Sequence, residues 1–481
     1  MTTLGTLIQL DAESAQPVYL QLSNGLIQLI QSGLLKPGSR LPSIRDLAAQ
    51  LELHPKTVVA AYEEMEAQDW VYTKPRSGVI VAENLPELKP RTFKGDLAKN
   101  TFDGAQPVPA PDKRTFKYVI NDGFPDYRIA PVSQLLKHYK AAYYDGQIEQ
   151  TSILSDPAGS PRLRTALARI MGESRGLRIG PENLLITRGA QMAIYLAAAT
   201  LIRPGDEVLV GEPGYNTANR TFEQLGAKLI RIPVDKEGID VDGIERVCIT
   251  GKPKLLYVIP HHHHPTTVTL SAARRMKLLG LIRKYRLHVI EDDYDYEFHY
   301  THKPILPLAS ADHGGLVRYI GSLTKNLSPS IRVGYLIASE KVIGAATGHK
   351  QHIDIRGDSL MEDAIAALYE NGTMQRHLRR SVKLYEQRRD LFCALLQKEL
   401  GAGVRFDIPD GGMAVWARFD KTHPLTTLSA QVAPAGLWMK DGAFYNSGSV
   451  DYNAIRMGFA SLAEAEITAV VAILRKAMQK K

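Results

Sequence analysis

From about residue 118 the chain alternates between short apolar β-type runs and longer helical segments, and this alternation constrains its fold more than any other feature. The runs NLLIT, DEVLVG, AKLIRIPV, KLLYVIP, LHVIEDD, VRYIGS and RVGYLIAS are separated by helical stretches such as AQMAIYLAAATLI and SAARRMKLLGLIRKY. Strand–helix–strand order of this kind implies an α/β domain built on a mainly parallel sheet. From about residue 373 the pattern becomes strongly helical and then mixed, as in an α+β subdomain.

The first 82 residues read differently. Tyr19, Leu22, Leu26, Leu29 and Ile30 recur at three-to-four spacing, which predicts an amphipathic helix. After the turn-rich LKPGSRLP, Ser43 is placed to cap a short helix, with Asp46 at the capping-box position. Pro55 then opens a helix running to about Gln68 that buries Val58, Val59, Tyr62 and Met65. WVYTK and GVIVA flank the turn PRSG and predict a hairpin. Three helices followed by a hairpin is the order of a winged helix-turn-helix, an α+β unit that binds double-stranded DNA. Residues 83–117 are polar and proline-bearing without a period, and are read as a linker. The domains expected are thus 1–82, DNA-binding; 83–117, linker; and 118–481, effector-binding.

With 44% hydrophobic and 23% charged residues, the 481-residue chain can bury a large core. Its two cysteines, Cys248 and Cys393, stand far apart in apolar contexts, against a disulfide framework. With no signal-peptide pattern and no apolar stretch long enough to span a membrane, a cytoplasmic location is expected. The net charge of +8 permits a polyanionic partner. Residues 1–82, however, hold six bases and eight acids, a balance of −2. DNA binding must therefore rest on where the bases sit. Ser43, Arg45, Lys56 and Thr57 fall at the starts of the two helices of the helix-turn-helix, positions that reach bases. Lys74, Arg76 and Gly78 fall at the wing tip, where side chains and amides reach phosphate. Glu63, Glu64, Glu66 and Asp69 fall toward the far end of the second helix.

GSLTKNLSPSIRVGY sets Ser322 and Thr324 beside Lys325, with Arg332 seven residues on. Pyridoxal 5'-phosphate (PLP) needs an amine for its Schiff base and hydroxyl and guanidinium donors for its phosphate. A solvated loop lysine would read the same in isolation, so the rest of the chain must decide. VIEDDYDYEF puts Asp292 at a strand end, where a carboxylate can pair with a pyridinium nitrogen, and Tyr294 close by. TRGAQ offers the Ala190 and Gln191 amides at a helix start. EPGY offers the Tyr215 ring, and IRMGFA offers Arg456 as a bidentate carboxylate clamp.

DPAGSPRLRTALA, TRGAQ, EPGY, PTT, EDDYDYEF, SLTKNLSPSIRVGY and IRMGFA, in this order, resemble a fold-type I PLP protein of the aminotransferase superfamily. PVYLQL, GSRLPSIRDLA, KTVVAAYEEM and SGVIV resemble the GntR type of winged helix. Together they resemble the MocR/GabR family of transcription regulators over nearly the whole chain outside the linker. The resemblance implies an internal aldimine at Lys325, Asp292 on the pyridine nitrogen and Tyr294 on the ring hydroxyl. It places Ala190, Gln191, Ser322, Thr324 and Arg332 around the phosphate, Tyr215 stacked on the ring, and Arg456 on an effector carboxylate. It also implies a homodimer.

Two segments depart from that pattern. Family members carry a Ser-His-Gln-aromatic-Pro-Thr-Gly loop where this chain has His261-His262-His263-His264-Pro265-Thr266-Thr267. His262 matches and is expected to contact the effector. Adjacent histidines cannot all face one ion, so no metal is expected. The usual Ser-Arg-Asn-Thr opening of the recognition helix is His54-Pro55-Lys56-Thr57 here, so operator preference does not carry over. The expected function is a PLP-dependent regulator sensing an amino compound or PLP itself. The alternative is an active aminotransferase with an appended DNA-binding module.

Overall fold

The computed structural model describes residues 7–11, 14–86, 115–144, 154–300, 305–447 and 450–479. The chain divides into two compact units, residues 1–111 and 112–481. Most of the linker expected at 83–117 lies outside the described residues.

In the smaller unit, helices α1 (Val18–Gln31), α2 (Ile44–Gln50) and α3 (Pro55–Ala67) precede the antiparallel hairpin β1 (Val71–Lys74) and β2 (Gly78–Val81). Ser43 caps α2: its hydroxyl accepts from the Asp46 amide at 3.2 Å and donates to the Asp46 carboxylate at 2.6 Å. One bond of the predicted capping box thus forms, while the Asp46 carboxylate bonds the Ser43 hydroxyl. Pro55 opens α3, and His54 Nδ1 accepts from the Lys56 amide at 3.2 Å. The chain therefore keeps a capped helix start where the family's usual residues are missing. Leu22, Leu26, Leu47, Val58, Tyr62, Met65 and Trp70 form the core. Val59, expected inside, is only half-buried.

The larger unit holds an eight-stranded sheet: β3 (Leu184–Thr187), β4 (Glu207–Glu212), β5 (Lys228–Asp235), β6 (Gly238–Ile239), β7 (Leu255–Val258), β8 (His288–Asp292), β9 (Val317–Ser322) and β10 (Gly334–Ile337). The spatial order is β3-β10-β9-β8-β7-β4-β5-β6. The five strands from β9 to β5 pair in parallel, while β10 runs antiparallel between β3 and β9. Leu184 and Ile186 of β3 enter one core cluster and Leu185 another, and Tyr335 and Leu336 of β10 divide the same way. The sheet is therefore covered on both faces, which is why its strands read as continuous apolar runs. The C-terminal part packs α4 (Thr373–Leu400) on a sheet of β11 (Val404–Arg405), β12 (Ala414–Phe419) and β13 (Ala454–Gly458) around its own core. No helix among the described residues is long and apolar enough to cross a membrane.

Leu47 is fully buried between the helices of the small unit. Leu47→Ala should cost about 2–5 kcal/mol there. Amide exchange in α3 should then accelerate, while exchange in the eight-stranded sheet stays at its wild-type rate.

Candidate functional site

The parallel strands end on one side of the sheet, and the polar residues singled out in the sequence are at those ends. Asp292 is the last residue of β8 and Ser322 the last of β9. Thr187 closes β3, Gly189 turns with φ +79°, and helix Ala190–Ala199 begins. A Cβ on Gly189 would sit 2.8 Å from Arg332 Nη2, and one on Gly334 would sit 2.7 Å from the Ala190 nitrogen. Glycine at both positions lets the helix start and the Arg332 guanidinium close on one space.

Ala190, Gln191, Tyr215, Asp292, Tyr294, Ser322, Thr324, Lys325 and Arg332 all line a single cavity of about 200 Å³. Asp122, Phe124, Ile194, Ile259 and His264 complete its wall. Lys325 Nζ donates to the Gly123 carbonyl at 2.6 Å and lies 4.2 Å from the centre of the Phe124 ring. Burial, assisted by Arg456, pushes the Lys325 amine down to about 8. The neutral, nucleophilic form is thus within reach near neutral pH. Tyr257 donates to Asp292 Oδ2 at 2.7 Å, whereas Oδ1 is buried without a partner. Burial pushes the Asp292 carboxyl up to about 7.

These groups fit PLP. Two hydroxyls, a guanidinium and two amides at a helix N-terminus suit a phosphate. A buried carboxylate oxygen with no donor suits the pyridine N–H, and an amine with a lowered pKa suits the aldehyde.

Not every sequence expectation meets at the cavity. Arg456 is buried and does not line it. Its guanidinium donates to the Tyr294 hydroxyl at 3.0 Å, the Asp122 carbonyl at 3.3 Å and the Pro265 carbonyl at 3.4 Å. Tyr294 in turn donates to the His262 carbonyl at 2.8 Å. His262 does not reach the cavity through its ring, which pairs with Asp295 at 2.8 Å and packs on His299. The ring on the cavity is His264, packed edge-on to Tyr215 with centroids 5.0 Å apart. It occupies the aromatic position of the family loop, and that was the available signal. Its Nε2 lies 3.0 Å from Asp122, which also accepts from Tyr445 at 2.7 Å. Burial alone would raise the Asp122 carboxyl, but His264, Lys440 and Arg456 outweigh it and hold the carboxyl low. Asp122 and Phe124 escaped the sequence reading because NDGFPD has no period. Among the described residues, no group of three or more His, Cys, Asp or Glu is arranged to hold a metal.

In the small unit, Ser43, Arg45 and Lys56 are exposed at the starts of α2 and α3, and Thr57 is half-buried behind them. Lys74 and Arg76 are exposed at the hairpin turn, and Gly78 adopts φ +88°. Arg40 was missed: it bridges to Ile80, and its guanidinium would meet a Cβ on Gly78 at 3.2 Å, which adds a base to the wing. Glu66 is engaged within the unit, accepting from the Thr73 amide at 2.8 Å and its hydroxyl at 3.1 Å.

The sequence model of the aminotransferase class I and II family matches residues 125–474, and that of the gntR family of bacterial regulatory proteins matches 18–81. The probable rhizopine catabolism regulatory protein MocR of Rhizobium meliloti is 28% identical over 426 residues, covering 86% of this chain and 84% of that one. The HTH-type transcriptional regulator TauR of Rhodobacter capsulatus is 26% identical, covering 95% and 96%. An archaeal alanine:glyoxylate aminotransferase superposes with a TM-score of 0.71 at 29% identity, covering 76% of this chain and 91% of that one. The chain therefore belongs to the aminotransferase class I and II family and, with a gntR-type winged helix ahead of that domain, has the build of the MocR/GabR transcription regulators.

Proposed function

We propose that this protein is a transcription regulator whose large unit holds PLP on Lys325 and senses an amino compound, or PLP itself, to change how the winged helix holds DNA. The observation that carries the reading is the gathering of Lys325, Asp292 and the phosphate donors on one cavity, in a chain that begins with a gntR-type head. When bound, the cofactor supplies an aldehyde and an electron-withdrawing ring. Lys325 offers the amine, and the Gly123 carbonyl orients it. Asp292 Oδ1 takes the ring N–H while Tyr257 fixes Oδ2. Tyr215 and His264 wall the ring, and Ala190, Gln191, Ser322, Thr324 and Arg332 hold the phosphate. Arg456 donates to the Tyr294 hydroxyl, so an effector carboxylate that draws on Arg456 would also disturb Tyr294 on the cavity wall. For the head, Lys56 and Arg45 face bases, and Lys74, Arg76 and the backbone at Gly78 face phosphates. Regulation then requires only that the ligand-bound and ligand-free chains differ in affinity for DNA. The second reading, a working aminotransferase, is favoured by the same Lys325 and Asp292. Steady-state transamination across amino donors separates the two: turnover near about 10 per second would favour the enzyme.

Lys325→Ala should abolish the visible absorbance band of the PLP-loaded protein and the covalent retention of PLP after borohydride reduction. A band that survives the substitution places the attachment elsewhere. The Asp292 pKa is raised on folding, so its stabilising contribution is full below the unfolded value and is lost as pH rises through about 7. Asp292→Asn should therefore raise the melting temperature of the cofactor-free protein at pH 8 by a few degrees, while weakening PLP binding. Arg45→Ala should weaken binding to the DNA upstream of the protein's own gene by about 1–3 kcal/mol in a gel-shift titration, in a sequence-dependent way. Unchanged affinity would remove Arg45 from the DNA face.

A further inference from the structure

A second cavity of about 470 Å³ lies in the large unit, on the other side of the histidine loop from the cofactor cavity. His264 lines the first cavity, and Thr266 and Thr267 line the second. The base of the second cavity is the small sheet. Arg405 of β11 and Arg418 of β12 are direct partners across the antiparallel pair. Both line the cavity and both are exposed. Like charges facing each other across two strands repel, and neither arginine forms an ion pair among the described residues. Lys236 adds a third positive charge to the wall. Of the two acids there, Asp235 is already taken by Arg274 at 2.6 Å, which leaves Asp407 alone against three bases. Trp416, two residues before Arg418 and so on the same face of β12, also lines the cavity. Its indole N–H is buried and has no acceptor. The wall therefore carries three cations against the single uncommitted carboxylate of Asp407.

We propose that this cavity binds a small organic or inorganic anion, a carboxylate or a phosphate, between Arg405 and Arg418. The ligand neutralises the cross-strand repulsion. The site is joined to the cofactor cavity by two short routes. The first is the loop itself: Thr267 holds φ +64°, which is strained for a β-branched residue, and its amide donates to the His263 carbonyl at 2.6 Å. The second is a relay in which the Trp416 ring packs edge-on to Tyr445, with centroids 5.2 Å apart. The Tyr445 hydroxyl donates to Asp122, which lines the cofactor cavity beside His264. An anion seated on Trp416 and Thr267 therefore bears on Asp122 and His264 and shifts affinity in the first cavity; by linkage the effect is mutual.

The test uses the full-length PLP-loaded protein, titrated calorimetrically with inorganic phosphate and, separately, with succinate at constant ionic strength against a chloride control. Saturable binding of at least one is expected. Its affinity should fall at least tenfold in Arg405→Gln and in Arg418→Gln, be largely kept in Arg418→Lys, and be unaffected by Arg169→Gln, an exposed arginine that does not line the cavity. Saturation with the bound anion should change the dissociation constant for PLP in the wild type but not in Arg405→Gln or Arg418→Gln. Phosphate binding without succinate binding assigns the site to phosphate, and the reverse assigns it to carboxylates. Absence of saturable binding of either would overturn the site. So would retention in both Arg405→Gln and Arg418→Gln, or an equal loss in Arg169→Gln. Binding that leaves PLP affinity unchanged would overturn the coupling through the loop.

Discussion

Burial of the large sheet on both faces is the constraint from which the rest of the structure follows. Helices cover each side, so the central strands are buried along their length and largely apolar, with Arg318 of β9 a buried exception. Most of the polar groups that line the cavity emerge where strands end. Because β4, β5, β7, β8 and β9 are parallel, those ends lie on one edge, and the chemistry gathers there. Asp292, Ser322, Tyr215 and the start of helix Ala190–Ala199 meet although more than a hundred residues separate the first of them from the last. Glycine at 189 and 334 removes the bulk that would hold the turn and strand apart. The cavity is thus a consequence of the layer architecture, to which local sequence adds the donors.

The sequence was most readable where a single period governed a segment. Every apolar run quoted from the α/β region is a strand, and the hairpin and three helices of the small unit fall within two or three residues of their expected positions. The residues that meet on the cavity were readable because strand ends and helix starts can be located from those periods. What escaped lay in aperiodic loops. Asp122, in NDGFPD, approaches Lys325 and Arg456 only through tertiary folding, across more than two hundred residues of sequence. The histidine loop was readable as unusual, but which ring faces inward depends on positive φ at His262 and Thr267, and no spacing rule supplies that. His262 carries the family's identity yet turns to Asp295, while His264 takes the cavity.

The small unit shows why counting charges misleads. Six bases against eight acids describe an acidic segment, yet Arg45, Lys56, Lys74 and Arg76 are exposed at helix starts and hairpin turn. Glu63, Glu64, Glu66 and Asp69 lie toward the opposite end of α3, and Glu66 closes a hydrogen-bonded contact with Thr73 at the root of the wing. One carboxylate therefore ties the recognition helix to the wing and withdraws its own charge from the open face.

The unpartnered oxygen of Asp292 has a consequence beyond binding. A carboxylate buried with one oxygen unpartnered is penalised by desolvation, and under the proposed function a PLP ring that bonds that oxygen would stabilise the folded state by mass action. Chains made when the vitamin-derived cofactor is scarce would sample open forms more often and be more exposed to cellular proteases. The amount of this protein, and not only its state, would then follow the supply of the cofactor.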